Sequence, residues 1–267
     1  MTRTFHKMHG LGNDFVILDG REEAIAMTPA LARAIADRRT GIGCDQLILI
    51  EPSTDADLRM VIFNADGGEV EACGNATRCV VALTGAARIE TSGGLLTGSA
   101  DGATIEVVLE PPRFGWDDIP LAYAMDTAAM PMAWDELASP AAVNVGNPHL
   151  VFFADAINDE RLALLGPRIE HDPAFPERIN VNVAVIEDGG IRLSTWERGV
   201  GLTLACGTGA CATAVAAIRA KRVTSPVEVH MKGGTLTIAW ATGEPIRMRG
   251  PATHVYTGTI DLAAFAG

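Results

Sequence analysis

One short segment containing a cysteine occurs twice in this chain of 267 residues. The first copy runs Phe63-Asn64-Ala65-Asp66-Gly67-Gly68-Glu69-Val70-Glu71-Ala72-Cys73-Gly74. The second runs Trp196-Glu197-Arg198-Gly199-Val200-Gly201-Leu202-Thr203-Leu204-Ala205-Cys206-Gly207. They align without a gap, with an aromatic first, a glycine sixth and Ala-Cys-Gly last. Two equivalent thiols on two related halves suit a two-base proton transfer. One sulfur takes a proton from a small substrate and the other returns one to the opposite face, so the reacting carbon inverts. The expected site lies between the halves.

The elements that must position these thiols repeat as well, and repeats fix architecture. Gly12-Asn13-Asp14-Phe15-Val16 precedes the first cysteine, and Gly146-Asn147-Pro148-His149-Leu150-Val151 precedes the second. Gln46 opens the apolar run Leu47-Ile48-Leu49-Ile50, and Asn180 opens the weaker run from Val181 to Ile186. Several matches in order, about half a chain apart, argue for duplication and for two similar domains related by a pseudo-twofold axis.

Each cysteine is followed by a small, apolar stretch of helical character, Ala76 to Arg88 and Ala210 to Arg222. A helix apolar on most faces is usually buried. A cysteine at a helix N-terminus sits where the dipole favours thiolate over thiol. Gly74-Asn75 and Gly207-Thr208 would turn backbone N–H groups into the same space, which makes an anion site suited to a carboxylate. Those N–H groups would then stabilise the charge that develops as Cα loses its proton. Cys44, Cys79 and Cys211 read as packing residues. A zinc site is the rival, but the C-x5-C and C-x4-C spacings differ from the usual knuckles. His149, beside the repeated Gly-Asn, is a candidate functional residue. Glu197 and Arg198 stand where the other copy has Asn64 and Ala65, so the substrate should be asymmetric about its reacting carbon. Arg198 can grip a carboxylate through two parallel hydrogen bonds. No cofactor is indicated. The only lysines, Lys7, Lys221 and Lys232, stand in no context suggestive of pyridoxal chemistry.

Short runs rich in Val, Ile, Leu and Thr alternate with Gly, Asp and Pro turns and read as strands. Examples are Leu58 to Phe63, Thr104 to Leu109, Leu150 to Phe153, Val181 to Ile186, Ile191 to Thr195, Val227 to Met231 and Thr235 to Trp240. Thr28-Pro29 starts a helix, with Gly41 beyond its end. The expected fold class is α+β: two pseudo-symmetric domains, each a curved, barrel-like, mostly antiparallel sheet around one central helix. Pro111-Pro112-Arg113 serves as linker. The expected domains are residues 1–113 plus 251–267, carrying Cys73, and residues 114–250, carrying Cys206. A net charge of −12 disfavours a nucleic-acid partner or an anionic membrane surface. No apolar run approaches the ~20 residues of a membrane span, and the N-terminal residues carry no signal-peptide pattern. The expected address is the cytoplasm, where five cysteines read as thiols.

These residues closely resemble the diaminopimelate epimerase family, from Phe5-His6-Lys7-Met8-His9-Gly10-Leu11-Gly12-Asn13-Asp14-Phe15 to Thr253-His254-Val255-Tyr256. The resemblance implies a cofactor-independent enzyme that interconverts LL- and meso-diaminopimelate on the route to lysine and peptidoglycan. It implies Cys73 and Cys206 as the acid/base pair, with roles that swap with direction. It implies Asn13, Gln46, Asn64, Asn147, Asn180, Glu197 and Arg198 as substrate ligands, with backbone at Gly74-Asn75 and Gly207-Thr208. His149 and Glu197 would assist catalysis, no metal would take part, and Tyr256 would lie in a homodimer interface. The chain departs from the family pattern at Ala76-Thr77, Trp196, Leu202 and Cys44, beside the named ligands rather than at them. Three alternatives remain: a racemase acting on proline or hydroxyproline, which need not clamp a second amino-acid end; a phenazine-pathway-type isomerase, which lacks the cysteine pair; and a non-enzymatic zinc or ligand-binding module.

Overall fold

Strands built from consecutive apolar residues need cover on both faces, and strands of this kind lie near the start of each repeat. The computed structural model describes residues 2–71, 73–102 and 104–265; Ala72 of the repeated segment lies outside them. The chain divides into two compact units, Met1–Val107 with Gly250–Gly267, and Val108–Arg249.

The elements in order are β1 (Thr2–Gly10), β2 (Asn13–Asp19), α1 (Pro29–Ala36), β3 (Gln46–Glu51), β4 (Leu58–Asn64), β5 (Glu69–Val70) and α2 (Gly74–Thr84). There follow β6 (Arg88–Thr91), β7 (Gly94–Asp101), β8 (Thr104–Leu109), β9 (Ala133–Trp134), β10 (Leu137–Ala138), β11 (Ala141–Asn144) and β12 (Pro148–Phe153). The rest are α3 (Asp159–Glu170), β13 (Asn180–Glu187), β14 (Gly190–Glu197), β15 (Gly201–Leu202), α4 (Gly207–Arg219), β16 (Val227–Met231), β17 (Gly234–Ala239), β18 (Ile246–Pro251) and β19 (Thr253–Asp261), before a short 3-10 turn.

Register repeats along with sequence. In the first unit Phe15 lies opposite Gln46 in the parallel pair β2–β3, and Leu47 opposite Phe63 in the antiparallel pair β3–β4. In the second, His149 lies opposite Asn180 in the parallel pair β12–β13, and Val181 opposite Trp196 in the antiparallel pair β13–β14. Phe63 pairs with Glu69 as Trp196 pairs with Leu202. Leu58 meets Ile89 in parallel as Ile191 meets Val229. Antiparallel pairing dominates, as expected. The parallel pairs occur where a helix connects the strands, because a parallel neighbour needs a crossover.

Helix α1 buries Leu31, Ala32 and Ile35 with Val16, Leu18, Leu47 and Leu49 in one cluster. The alternate residues Phe15, Ile17, Ile48 and Ile50 point the other way and are buried too. Helix α2 packs against β1, β2, β7 and β19, and α4 against β11, β12, β13, β14, β16 and β17. Each is therefore a helix among strands, in line with its small, apolar sequence. Among the described residues no helix is long and apolar enough to cross a membrane.

Two helix expectations need revision. Both central helices begin earlier than the apolar runs suggested, directly after the cysteine, because glycine can enter the first turn. Helix α2 also stops sooner, at Gly85, whose φ of 69° is left-handed and whose N–H bonds to the Val81 carbonyl. Helix α3 was not anticipated: Pro167 lies inside it and its mean hydropathy is low. It is the counterpart of α1, burying Leu162, Leu165 and Ile169 with Leu150, Phe152, Val181 and Val183.

Candidate active site

Both cysteines occupy the cap position of their helices. Cys73 has φ −145° and ψ 108°, and Cys206 has φ −117° and ψ 112°, extended backbone from which the chain turns into α2 and α4. The first N–H groups of a helix have no partner inside it, so each sulfur stands beside a cluster of aligned donors. Gly209 N donates to Cys206 Sγ at 3.3 Å, and Thr208 Oγ1 lies 3.5 Å from the same sulfur. The Cys73 thiol lies 3.8 Å from Asn13 Oδ1. Cys73 is half-buried and Cys206 buried. The other cysteines differ: burial pushes the Cys44 and Cys79 thiols up to about 12, and Cys211 is enclosed in α4.

In the first unit the parallel and antiparallel pairings bring Asn13, Gln46 and Asn64 to neighbouring strand ends, beside the start of α2. Asn13 Nδ2 donates to Asp45 at 3.0 Å, and its Oδ1 accepts from Asn75 Nδ2 at 3.3 Å. Gln46 Nε2 donates to Asn64 Oδ1 at 2.9 Å. The other amide atom of Gln46, Oε1, is buried without a hydrogen-bond partner among the described residues. An orphaned acceptor of this kind calls for a ligand or a water. Thr77, one of the departures, is buried, with Oγ1 on the Cys73 carbonyl at 2.9 Å; its hydroxyl is used within the helix.

In the second unit Asn147, His149, Asn180, Glu197 and Arg198 stand at neighbouring ends of β12, β13 and β14, strands that pack against α4. Asn180 Nδ2 donates to the Pro148 carbonyl at 2.8 Å, and its Oδ1 accepts the Arg198 N–H at 2.9 Å. Asn180 thus pins the backbone of Arg198. Arg198 Nη1 donates to the Glu177 carbonyl at 3.0 Å, and Glu197 Oε1 accepts from Thr203 Oγ1 at 2.5 Å. His149 is wholly buried, with Nε2 2.9 Å from Asn147 Oδ1 and Nδ1 3.1 Å from Asn182 Nδ2. Burial, with the Arg198 charge adding to it, drives its pKa down to about 3, so at neutral pH the ring is uncharged. Tyr256 is far along the chain on β19, 45% exposed and edge-on to Phe5.

Sequence reasoning missed several supporting residues. Asp45, with Arg38 and Asp14, holds Asn13: Arg38 bridges Asp14 at 2.6 Å and Asp45 at 2.7 Å. Burial alone would raise the Asp14 pKa, but hydrogen bonds from Arg38 and Lys7 outweigh it and hold the carboxyl well below its usual range. Arg78 is fully buried and donates from Nη2 to Asn75 Oδ1 at 2.9 Å. Glu170, also buried, accepts from Trp196 Nε1 at 2.8 Å and Gly199 N at 2.9 Å, so it supports the Glu197–Gly199 turn. Asn182 was readable as a polar residue recurring two places after Asn180 in an apolar strand. Asp45 and Glu170 left no such signal.

Among solved structures, the fold has likenesses of low sequence identity. It matches a hydroxyproline epimerase from Agrobacterium vitis with bound trans-4-hydroxy-L-proline (TM-score 0.70, 16% identity, 97% of this chain and 91% of that one). It also matches a phenazine biosynthesis protein of the PhzF family from Bacillus anthracis (TM-score 0.64, 16% identity, 97% and 99%). These likenesses show the fold alone. The sequence is more specific. The family model described as diaminopimelate epimerase matches residues 5–112 and 141–255. A diaminopimelate epimerase from Rhizorhabdus wittichii is 67% identical over 98% of this chain and 96% of its own length. The chain belongs to the diaminopimelate epimerase family, and so to the racemase and epimerase class of isomerases.

Proposed function

We propose that Cys73 and Cys206 carry out the family's reaction, the interconversion of LL- and meso-diaminopimelate on the way to lysine and peptidoglycan precursors, as a thiolate and thiol acting on one Cα without a cofactor. The observation that carries this reading is that each cysteine caps a buried helix, behind strands of the same register. One thiolate takes the Cα proton and the electron pair stays on the substrate. The other thiol gives its proton to the opposite face and becomes the thiolate, and in the reverse direction the roles exchange. The N–H groups of Gly74, Asn75, Gly207 and Thr208 hold the α-carboxylate and stabilise the charge that spreads onto it, usually the largest contribution in such chemistry.

Asn13, Gln46, Asn64, Asn147, Asn180, Glu197 and Arg198 bind the rest of the substrate. The orphaned Gln46 Oε1 suits an ammonium group as donor. Glu197 suits the same charge, and the Arg198 guanidinium suits the distal carboxylate. The asymmetry between Asn64 in one copy and Glu197-Arg198 in the other matches a substrate whose two ends differ as seen from the reacting carbon. His149 acts by holding Asn147 rather than by moving a proton, since its ring is buried and neutral. The same reading places the protein in the cytoplasm as a homodimer, with Tyr256 in the contact.

The test follows the α-proton signal of meso-diaminopimelate in D2O under reductant. The intact protein should exchange that proton and form the LL isomer. Cys73→Ala and Cys206→Ala should each lower epimerisation by at least the ~10²–10⁴-fold typical of a general acid or base. Exchange that survives in both variants at the original rate would rule out the two-thiol assignment.

A further inference from the structure

We infer that Asn182 is a positioning residue that fixes the tautomer of His149 and, through it, the orientation of the Asn147 amide toward substrate. All the residues involved lie within the second unit. Asn182 is fully buried on β13. Its Oδ1 accepts from Thr195 Oγ1 at 3.0 Å. Its Nδ2 donates to the Leu150 carbonyl at 2.8 Å. These two partners settle which end of the amide is oxygen and which is nitrogen, because a backbone carbonyl can only accept.

The second Nδ2 hydrogen then points at His149 Nδ1, 3.1 Å away. A donor facing Nδ1 requires a lone pair there, so the ring proton sits on Nε2. Nε2–H in turn donates to Asn147 Oδ1 at 2.9 Å. With its oxygen held by the ring, Asn147 presents its –NH2, a donor pair fit for a carboxylate. Reversing the first amide would reverse each later step and turn the Asn147 oxygen outward, where it would repel that carboxylate. Neighbouring packing holds the first amide in place: a Cβ added at Gly209 in α4 would meet Asn182 Oδ1 at 2.6 Å and Thr195 Oγ1 at 3.0 Å. The relay therefore packs against the first turn of the helix that Cys206 caps.

This inference rests on the functional reading only in its last step, that Asn147 binds substrate. The test separates the two. Two-bond 15N–1H correlation spectra of the histidine ring distinguish the two neutral tautomers and the imidazolium, and His149 is identified by the signals lost in His149→Gln. The wild type should show a neutral ring protonated at Nε2 from pH 5 to pH 9. Asn182→Asp, which puts an acceptor opposite Nδ1, should move a proton onto Nδ1 and lower kcat/KM for diaminopimelate about 10–100-fold, the loss expected for one hydrogen bond to a charged group. Thr195→Val, a milder change that leaves the Leu150 carbonyl to fix the amide, should keep the Nε2–H form. His149→Gln, whose amide nitrogen can replace the Nε2 donor, should retain more activity than His149→Leu. In the Gln background Asn182→Asp should cost markedly less than in the wild type. A wild-type ring protonated on Nδ1, or an Asn182→Asp variant that loses activity with its ring unchanged, would overturn the relay. The ring spectrum of the intact protein needs no turnover, and it calls on a variant only to assign His149, for which any folded His149 substitution serves. A wild type that shows Nε2–H but fails to epimerise therefore counts against the functional reading and not against the tautomer.

Discussion

His149 shows how burial decides what a residue can do. A histidine beside a repeated Gly-Asn looks in sequence like a candidate acid or base, and that much was legible. Its environment was not, because the neighbours that enclose it come from β13 and from Arg198, distant in the chain. A ring neutral down to about pH 3 gives up the charge switch that makes histidine useful near neutrality. The sign of its effect on stability follows. In the unfolded chain this histidine takes a proton below about pH 6.5, while in the folded protein it does not until about pH 3. Between those values the unfolded state binds more protons, so folding stability is complete above 6.5 and falls as pH drops, by about 1.4 kcal/mol per unit from this group. Urea unfolding at pH 7.5 and pH 5 should show the wild type losing about 2 kcal/mol more than His149→Gln over that interval. Carboxylates titrate in both proteins and cancel in the comparison. Equal losses in the two proteins would mean that His149 is not held neutral.

At the scale of elements, the repeated segments announced the two central helices and the strands around them. Apolar runs between turn residues placed the strands named from the sequence to within a residue or two. Periodicity failed at α3, where Pro167 and exposed polar residues hide a helix whose large buried apolar side chains are Leu162, Leu165 and Ile169. That helix also accommodates the bulk of Trp196. Trp196 lies against α3 and reaches Glu170, and it does so over Gly166, where an added Cβ would come within 2.4 Å of Trp196 Cδ2. Exposed helix interiors favour Ala over Gly by about 1 kcal/mol. Here the order should reverse, with Gly166→Ala destabilising by about 1–3 kcal/mol through overpacking. Trp196→Tyr, which thins the ring at that contact, should relieve part of the loss, so the double variant should lose less than the two single losses added together. Denaturant midpoints of the four proteins give the answer. A stabilised Gly166→Ala would show that helix propensity outweighs the contact.

For the whole molecule, the duplication was the most legible property, because it is written in sequence offsets. Whether a second copy joins the chain is the least legible, because a surface carries no periodic signal of what covers it. Strand β19 presents Val255, 54% exposed, next to Tyr256, 45% exposed. Adjacent residues of a strand point to opposite faces, so one apolar side chain stands on each side of β19. Phe5, itself buried, backs Tyr256 edge-on at 5.8 Å. An aromatic held rigid in this way keeps little conformational entropy to lose on association and suits an interface anchor. Aromatic anchors among apolar neighbours are what interface cores concentrate, with charged residues depleted. If β19 joins two copies, light scattering at micromolar concentration should give twice the chain mass. Val255→Asp and Tyr256→Asp should each shift the population toward single chains, since a carboxylate buried without a partner is costly. Neither change touches the strands that carry the proposed ligands, so any fall in epimerisation should track the loss of dimer and recover as protein concentration rises. A wild type that stays single-chain while fully active would remove the dimer from this reading and leave the two-thiol chemistry intact.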